Sequence, residues 1–73
     1  MASIPFTLND KSEFIELLKL LKIQSLAQSG GHAKMIVEDG LVFVNGEQEF
    51  RKRRKLRPGD KIEVEGTIIE IVQ

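Results

Sequence analysis

The segment that decides the fold runs from residue 36 to residue 46 and reads Ile36-Val37-Glu38-Asp39-Gly40-Leu41-Val42-Phe43-Val44-Asn45-Gly46. Its first part has a helical pattern, and Gly40 is the residue type that most often follows a helix in the left-handed conformation. The next four residues form a continuous apolar run, which is typical of a strand. Asn45-Gly46 then favours a type I′ turn, which needs a positive φ at both positions. The segment therefore predicts a helix followed directly by a β-hairpin.

Two helices are predicted before this hairpin. The second covers residues 31–39, with Ser29 as its N-cap and an inner face of Ala33, Ile36 and Val37. The first is predicted to begin near Asp10, an N-cap residue with Glu13 three positions later in a variant of the capping box. Its apolar residues follow the i, i+3, i+4, i+7 spacing, and they are Phe14, Leu17, Leu18 and Leu21.

Strand patterns lie on both sides of these helices. Residues 4–8 alternate between apolar and other side chains, and Pro5 restricts that strand to a sheet edge. A return strand is expected over 47–50, followed by the turn at 58–60 and a second hairpin over 61–72 around Glu65-Gly66. The order is one strand, two helices and four strands. It predicts an α+β fold in which a two-helix hairpin packs on a small antiparallel sheet.

Length and composition restrict the class of protein. The chain has 73 residues and no Cys, which predicts one domain over 1–73 without disulfides or thiolate metal sites. It has 11 basic and 11 acidic residues, yet residues 51–57 contain six basic residues and no acidic one. The remaining residues therefore carry 5 basic and 11 acidic side chains. Such asymmetry indicates a surface that orients an anionic partner.

Residues 51–57, which we call the basic segment, are the principal candidate site. In an extended chain Arg51, Arg53, Lys55 and Arg57 share one side and span roughly 20 Å, a row that can follow a phosphate backbone. Leu56, and Phe50 before the segment, are expected to anchor it to the core. The candidate RNA-binding residues here are Arg51, Lys52, Arg53, Arg54, Lys55 and Arg57. The alternative is a solvated loop or a charged residue run that prevents edge pairing. For phosphate binding we expect these cations to be free of the chain's own carboxylates.

The start of the second helix is another candidate phosphate site. Unpaired backbone N–H groups at a helix start attract phosphate, and glycines permit a close approach. The candidates here are Ser29, Gly30, Gly31, His32 and Lys34. The alternatives are a plain capped turn and, for the single histidine, an ordinary surface side chain.

Several function classes lack support in the sequence. No nucleophile motif, P-loop or metal-ligand spacing is present, so we expect a non-catalytic protein without cofactor, metal site or small-molecule substrate. No signal peptide or membrane span is recognisable, so we expect no membrane partner and a cytoplasmic location. All four phenylalanines occupy apparent core positions, and a stacking platform for unpaired bases is therefore not predicted. Phosphate and shape readout would favour structured or double-helical RNA.

The stretch from Phe14 to Val64 resembles the S4-type RNA-binding domain, also called the alpha-L motif. The resemblance rests on the helix containing Leu17-Leu18, on the segment that leads into Asn45-Gly46, and on the Arg57-Pro58-Gly59-Asp60 turn before the next strand. Ser29-Gly30-Gly31-His32-Ala33-Lys34 and the arginine-rich residues 51–55 are similar to the short stand-alone YbcJ-like and YaaA-like members. Larger members often carry Ser-Arg at the second helix start, where this chain has Ser29-Gly30. The resemblance implies binding to structured RNA, commonly ribosomal or transfer RNA.

The sequence and the resemblance thus predict a monomeric, non-catalytic RNA-binding module that associates with the ribosome. It contacts phosphates through the basic segment and the start of the second helix, which are expected to form one continuous positive surface. One alternative is a protein-interaction module that docks the basic segment on an acidic protein. Another is duplex DNA binding, although neither helix resembles a recognition helix.

Overall fold

The computed structural model describes residues 3–8 and 12–73. Two helices and seven short strands follow one another along these residues. The elements are β1 (Ser3–Thr7), β2 (Ile15–Glu16), α1 (Leu17–Ile23), α2 (Gly30–Glu38), β3 (Val42–Val44), β4 (Glu47–Gln48), β5 (Lys55–Leu56), β6 (Lys61–Val64) and β7 (Thr67–Val72). This order confirms the predicted α+β class.

Five strands form the main sheet in the order β1-β7-β6-β3-β4, and β2 pairs separately with β5. The sheet is mixed rather than purely antiparallel, because β1 runs parallel to β7. As Pro5 requires, β1 lies at the edge. Both predicted hairpins are present, with positive φ at Asn45-Gly46 and Glu65-Gly66. A fifth strand follows the helices, since residues 55–56 pair with β2 instead of remaining a loop.

The first helix begins later than predicted. Residues 15–16 are held extended by their pairing with β5, so α1 starts only at Leu17 and Phe14 precedes it. Its N-cap is Glu16, without a side-chain capping bond, and the predicted cap Asp10 lies outside the described residues. Sequence spacing could not reveal this start, because the pairing partner is about forty residues away.

The second helix matches its prediction closely. Ser29 is the N-cap of α2, and its side chain accepts a hydrogen bond from the backbone of His32. At the other end Gly40 adopts a φ of 75°. A Cβ at Gly40 would collide with the amide of Gln48, whose Nε2 donates to the Gly40 carbonyl at 2.8 Å. The positive φ favours glycine there, and a larger residue would also displace the flexible Gln48 side chain.

Aliphatic side chains fill the space between the helices and the sheet. The fully buried members are Leu17, Leu20, Leu21, Leu56, Ile62, Ile69, Ile71, Val37, Val42, Val44 and Val64. The prediction that all four phenylalanines occupy the core is wrong. Phe14 and Phe43 are each 37% exposed and Phe50 is 55% exposed, while Phe6 is partly buried against the core. No helix within residues 3–8 and 12–73 is long and apolar enough to cross a membrane.

Candidate nucleic-acid interface

The backbone of the basic segment is attached to the fold at several points. The N–H groups of Leu17 and Leu18, at the start of α1, donate to the carbonyls of Arg54 (2.9 Å) and Lys52 (3.3 Å). These bonds satisfy helix N–H groups that would otherwise have no partner. The segment therefore covers the start of the first helix and presents its side chains from a fixed backbone.

The far end of the basic segment is held by two hairpin residues. Asp60 accepts a hydrogen bond from the backbone N–H of Arg57 at 2.9 Å. The same carboxylate accepts a hydrogen bond from the side-chain Nδ2 of Asn45 at 3.0 Å. The side-chain Oδ1 of Asn45 in turn accepts from the backbone N–H of Lys61 at 3.0 Å. The turns at 45–46 and 58–59 are thereby tied together at the point where the basic segment ends.

Side-chain exposure alternates along the segment as predicted, although residues 52–53 form a turn. Leu56 is fully buried and anchors the segment. Phe50 does not, since it remains exposed. The exposed residues are Arg51, Arg53, Lys55 and Arg57, and the half-buried residues are Lys52 and Arg54.

A buried carboxylate, which the sequence did not reveal, organises the beginning of the segment. Glu49 is 6% exposed and accepts hydrogen bonds from Arg51 Nε and Nη2, each at 3.0 Å, and from Arg54 Nη1 at 2.7 Å. It also accepts from the Arg51 backbone N–H at 3.0 Å. Hydrogen bonding from Arg51, with smaller contributions from Arg54, lowers the pKa of the Glu49 carboxyl from 4.5 to about 2, although burial opposes the shift.

Two further carboxylates engage the middle of the segment. Arg53 Nε lies 3.1 Å from Glu16, and Lys52 Nζ lies 3.6 Å from Glu38. The expectation that the cations are free of the chain's own carboxylates is therefore wrong for four of the six. The segment nevertheless keeps a local excess of positive charge, because its six cations meet only three carboxylates among the described residues. The Arg53 side chain also stays 81% exposed.

The remaining two cations have no carboxylate within ion-pair distance among the described residues. Lys55 Nζ lies 5.0 Å from the centroid of the Phe14 ring, a cation–π contact that leaves the charge uncompensated. Arg57 is exposed at the end of the segment. These two residues are the cations most readily available to an external anion.

The basic side chains enclose a shallow depression. It has a volume of about 540 Å³, and the described residues that line it are Arg51, Arg53, Arg54, Lys55 and Arg57. A concave surface lined by positive charges focuses the electrostatic potential and attracts a polyanion. Its guanidinium groups present planar pairs of donors that match phosphate oxygens.

The start of α2 is a compact cap centred on His32. Ser29 Oγ accepts from the His32 backbone N–H at 3.1 Å, and His32 Nδ1 accepts from the Gln28 backbone N–H at 3.1 Å. His32 thus acts as the third helical residue of a capping-box variant. The backbone N–H groups of Gly30 and Gly31 have no acceptor among the described residues, and Lys34 is exposed one turn later.

The basic segment contacts α2 at some distance from the start of this helix. The basic segment reaches α2 at Glu38, through Lys52. Glu38 is eight residues beyond Gly30, about 12 Å along the helix axis. Lys34 shares the helix face of Glu38 and lies between this contact and the helix start.

Replacement of His32 tests its capping role. We expect His32→Ala to lower the free energy of unfolding by about 1 kcal/mol, because a backbone N–H loses its acceptor. His32→Gln should retain most of the stability, since its side-chain oxygen can accept the same bond. Chemical denaturation of both variants measures this, and equal losses in the two would contradict the capping role.

The residues that match a known family extend over nearly the whole chain. The model of the S4 domain family matches residues 6–72. The chain belongs to the S4 domain family. The resemblance noted from its motifs is confirmed, and in this S4 domain the matched region contains the basic segment and both helices.

Relatives and a solved structure agree with this assignment. The chain is 44% identical over 55 residues to the probable ribosome maturation protein RlbA of Bacillus subtilis, covering 75% of this chain and 78% of RlbA. It is 36% identical over 62 residues to the putative RNA-binding protein YbcJ of Escherichia coli, covering 85% and 89%. The solution structure of E. coli YbcJ, described as revealing an alfaL motif involved in RNA-binding, superposes with a TM-score of 0.71 at 35% identity, covering 94% of this chain and 86% of YbcJ.

Proposed function

We propose that this S4 domain, acting as one module over the whole chain, is a non-catalytic RNA-binding protein that holds the phosphates of structured RNA. The observation that carries the proposal is the depression lined by five basic side chains. RNA is a polyanion whose backbone phosphates recur at regular spacing, and cations on a fixed surface release its counterions on binding. The YbcJ and RlbA names support RNA as the polyanion and the ribosomal class as its source.

Phosphate binding would proceed by exchange at the paired cations. In the Arg53–Glu16 and Lys52–Glu38 pairs all four side chains are partly exposed to solvent. Solvent-exposed ion pairs contribute little to stability. A phosphate can therefore replace the carboxylate with a small loss in folding energy. Arg51 and Arg54 remain bound to buried Glu49 and offer their unused N–H groups, while Lys55 and Arg57 bind directly.

The second contact would be the start of α2. The free backbone N–H groups of Gly30 and Gly31 can donate to one phosphate, and Lys34 adds a charge on the side that leads to the basic segment. Ser29 and His32 stabilise the conformation of this helix start. They would therefore contribute to binding by positioning the backbone N–H groups. Such a monomeric module would work in the cytoplasm, where ribosomes are assembled in bacteria such as those of the two relatives.

The test is the triple variant Arg53→Ala, Lys55→Ala, Arg57→Ala. None of these residues pairs with Glu49, so we expect the free energy of unfolding to change by less than about 1 kcal/mol. RNA affinity should fall about tenfold at moderate salt, and the slope of log affinity against log salt should decrease by about 2 to 3. Titration of a labelled ribosomal RNA fragment at several salt concentrations measures both quantities.

A matched control removes three positive charges elsewhere, with Lys19→Ala, Lys22→Ala and Lys61→Ala. Its salt slope should stay near that of the unchanged protein. Equal losses in the two triple variants would mean that only net charge matters, and the proposed site would be wrong. If B-form DNA of equal length competes as effectively as RNA, the result favours duplex DNA as the partner. If an acidic protein does so, the result favours a protein partner.

A further inference from the structure

Phe50 is the most exposed aromatic side chain among the described residues, at 55%. Its ring lies beside Gly40, where a built Cβ would be 3.6 Å from Phe50 Cε1. The pairing of β3 with β4 continues one residue beyond β4, because the backbone N–H of Glu49 donates to the Val42 carbonyl at 2.9 Å. Phe50 therefore stands opposite Leu41, on the sheet face away from the core.

The position of Phe50 along the chain connects it to the basic segment. It directly precedes Arg51, which lines the basic depression, and Lys52 projects toward the same end of α2 that the Phe50 ring borders. RNA phosphates held at Arg51 would lie one residue from Phe50 along the chain. An aromatic ring next to a row of phosphate-binding cations is the arrangement on which proteins stack unpaired bases.

The other two exposed phenylalanines are less suitable for a base. Phe43 is directly opposite the carboxylate residue Glu63 on β6, and its partner on β4 is the uncharged Gln48. Phosphates would be repelled from that part of the sheet. One face of the Phe14 ring is already occupied by Lys55. Among the described residues, Phe50 is the exposed phenylalanine that directly adjoins the basic segment in sequence and has no cation over its ring.

We propose that Phe50 stacks against an unpaired nucleobase, so that the preferred RNA is a helix interrupted by an unpaired nucleotide. This inference rests on the proposed function, because the cations must hold the phosphates beside the ring. A paired base cannot take this place, since both of its faces are covered by its neighbours within the helix. A bulged or looped-out base has a free face, and the phosphates around it can lie along the basic segment.

The experiment compares two RNA duplexes with the same base pairs, one fully paired and one that carries a single additional, bulged adenosine in one strand. We expect the protein to bind the bulged duplex about tenfold more tightly, the size of effect that one stacked base gives. Phe50→Leu should abolish this preference while the paired duplex binds as before, because leucine retains apolar bulk without a π face. Phe50→Tyr should keep the preference, and Phe43→Leu serves as the matched control that also keeps it.

The outcomes separate this inference from the proposed function. Equal binding of both duplexes by the unchanged protein, or a preference that survives in Phe50→Leu, overturns the stacking role and leaves phosphate binding intact. Failure to bind either duplex, even at low salt, overturns the proposed function and the stacking role with it. Loss of the preference in Phe50→Leu but not in Phe43→Leu establishes Phe50 as the stacking residue.

Discussion

Glu49→Gln is expected to lower the free energy of unfolding at neutral pH by about 3 kcal/mol. The pKa of Glu49 falls from 4.5 to about 2 in the folded protein, and each pKa unit corresponds to about 1.4 kcal/mol. A neutral amide would leave Arg51 and Arg54 without their shared carboxylate. For a domain of this size such a loss lowers Tm by about 15 °C.

The pH dependence of this effect has a definite sign. Because folding depresses the pKa of Glu49, its stabilisation is fully present above pH 4.5 and is lost as the pH falls toward 2. The difference between the unchanged protein and Glu49→Gln should therefore shrink over that interval. Thermal unfolding at several pH values measures it, and Glu47→Gln, in an exposed position of β4, is the matched control. A difference that stays constant down to pH 2 would show that Glu49 does not act through its charge.

Leu56→Ala is expected to reduce the free energy of unfolding by a similar amount, about 3 kcal/mol. Leu56 is completely buried and pairs with Ile15 in the β2–β5 ladder, so its removal leaves a cavity beneath the basic segment. Leu56→Met conserves volume and should cost less than about 1.5 kcal/mol. Denaturant titration compares the two variants.

This substitution also tests the link between the core and the proposed RNA-binding surface. Below its melting temperature, Leu56→Ala should bind RNA more weakly than Leu56→Met, because the cations on either side of the anchor would no longer be held in position. Equal RNA affinities of the two folded variants would show that the basic segment binds without a rigid support.

The local elements were largely predictable from the residues themselves. Ser29 and Gly40 bracket the second helix because capping and the left-handed conformation are local requirements. The turns at Asn45-Gly46 and Glu65-Gly66 likewise depend on adjacent residues. The position of the basic segment between two strands, and the burial of Leu56 within it, also followed from order and alternation.

Contacts between distant residues were not predictable in this way. The late start of α1 depends on the pairing of Ile15 with Leu56, and the Phe50 ring lies beside Gly40 at the end of α2 rather than in the core. A charge pattern shows which side chains are cationic but not which carboxylates meet them. Glu16 and Glu38 therefore gave no signal as partners of Arg53 and Lys52.

The sequence by itself determined the second helix, the two hairpins, the family and the cationic segment, because each is encoded by neighbouring residues or by a linear motif. Only the tertiary structure decided that Glu49 is buried beneath two arginines, that four cations are paired and that Phe50 faces solvent. The physical reason is that burial and ion pairing arise from side chains that chain folding brings together. The pairs with Glu16 and Glu38 join residues that are distant in sequence, whereas Glu49 is close in sequence to Arg51 and Arg54 and only its burial depended on the fold. Together these contacts determine which cations remain unpaired.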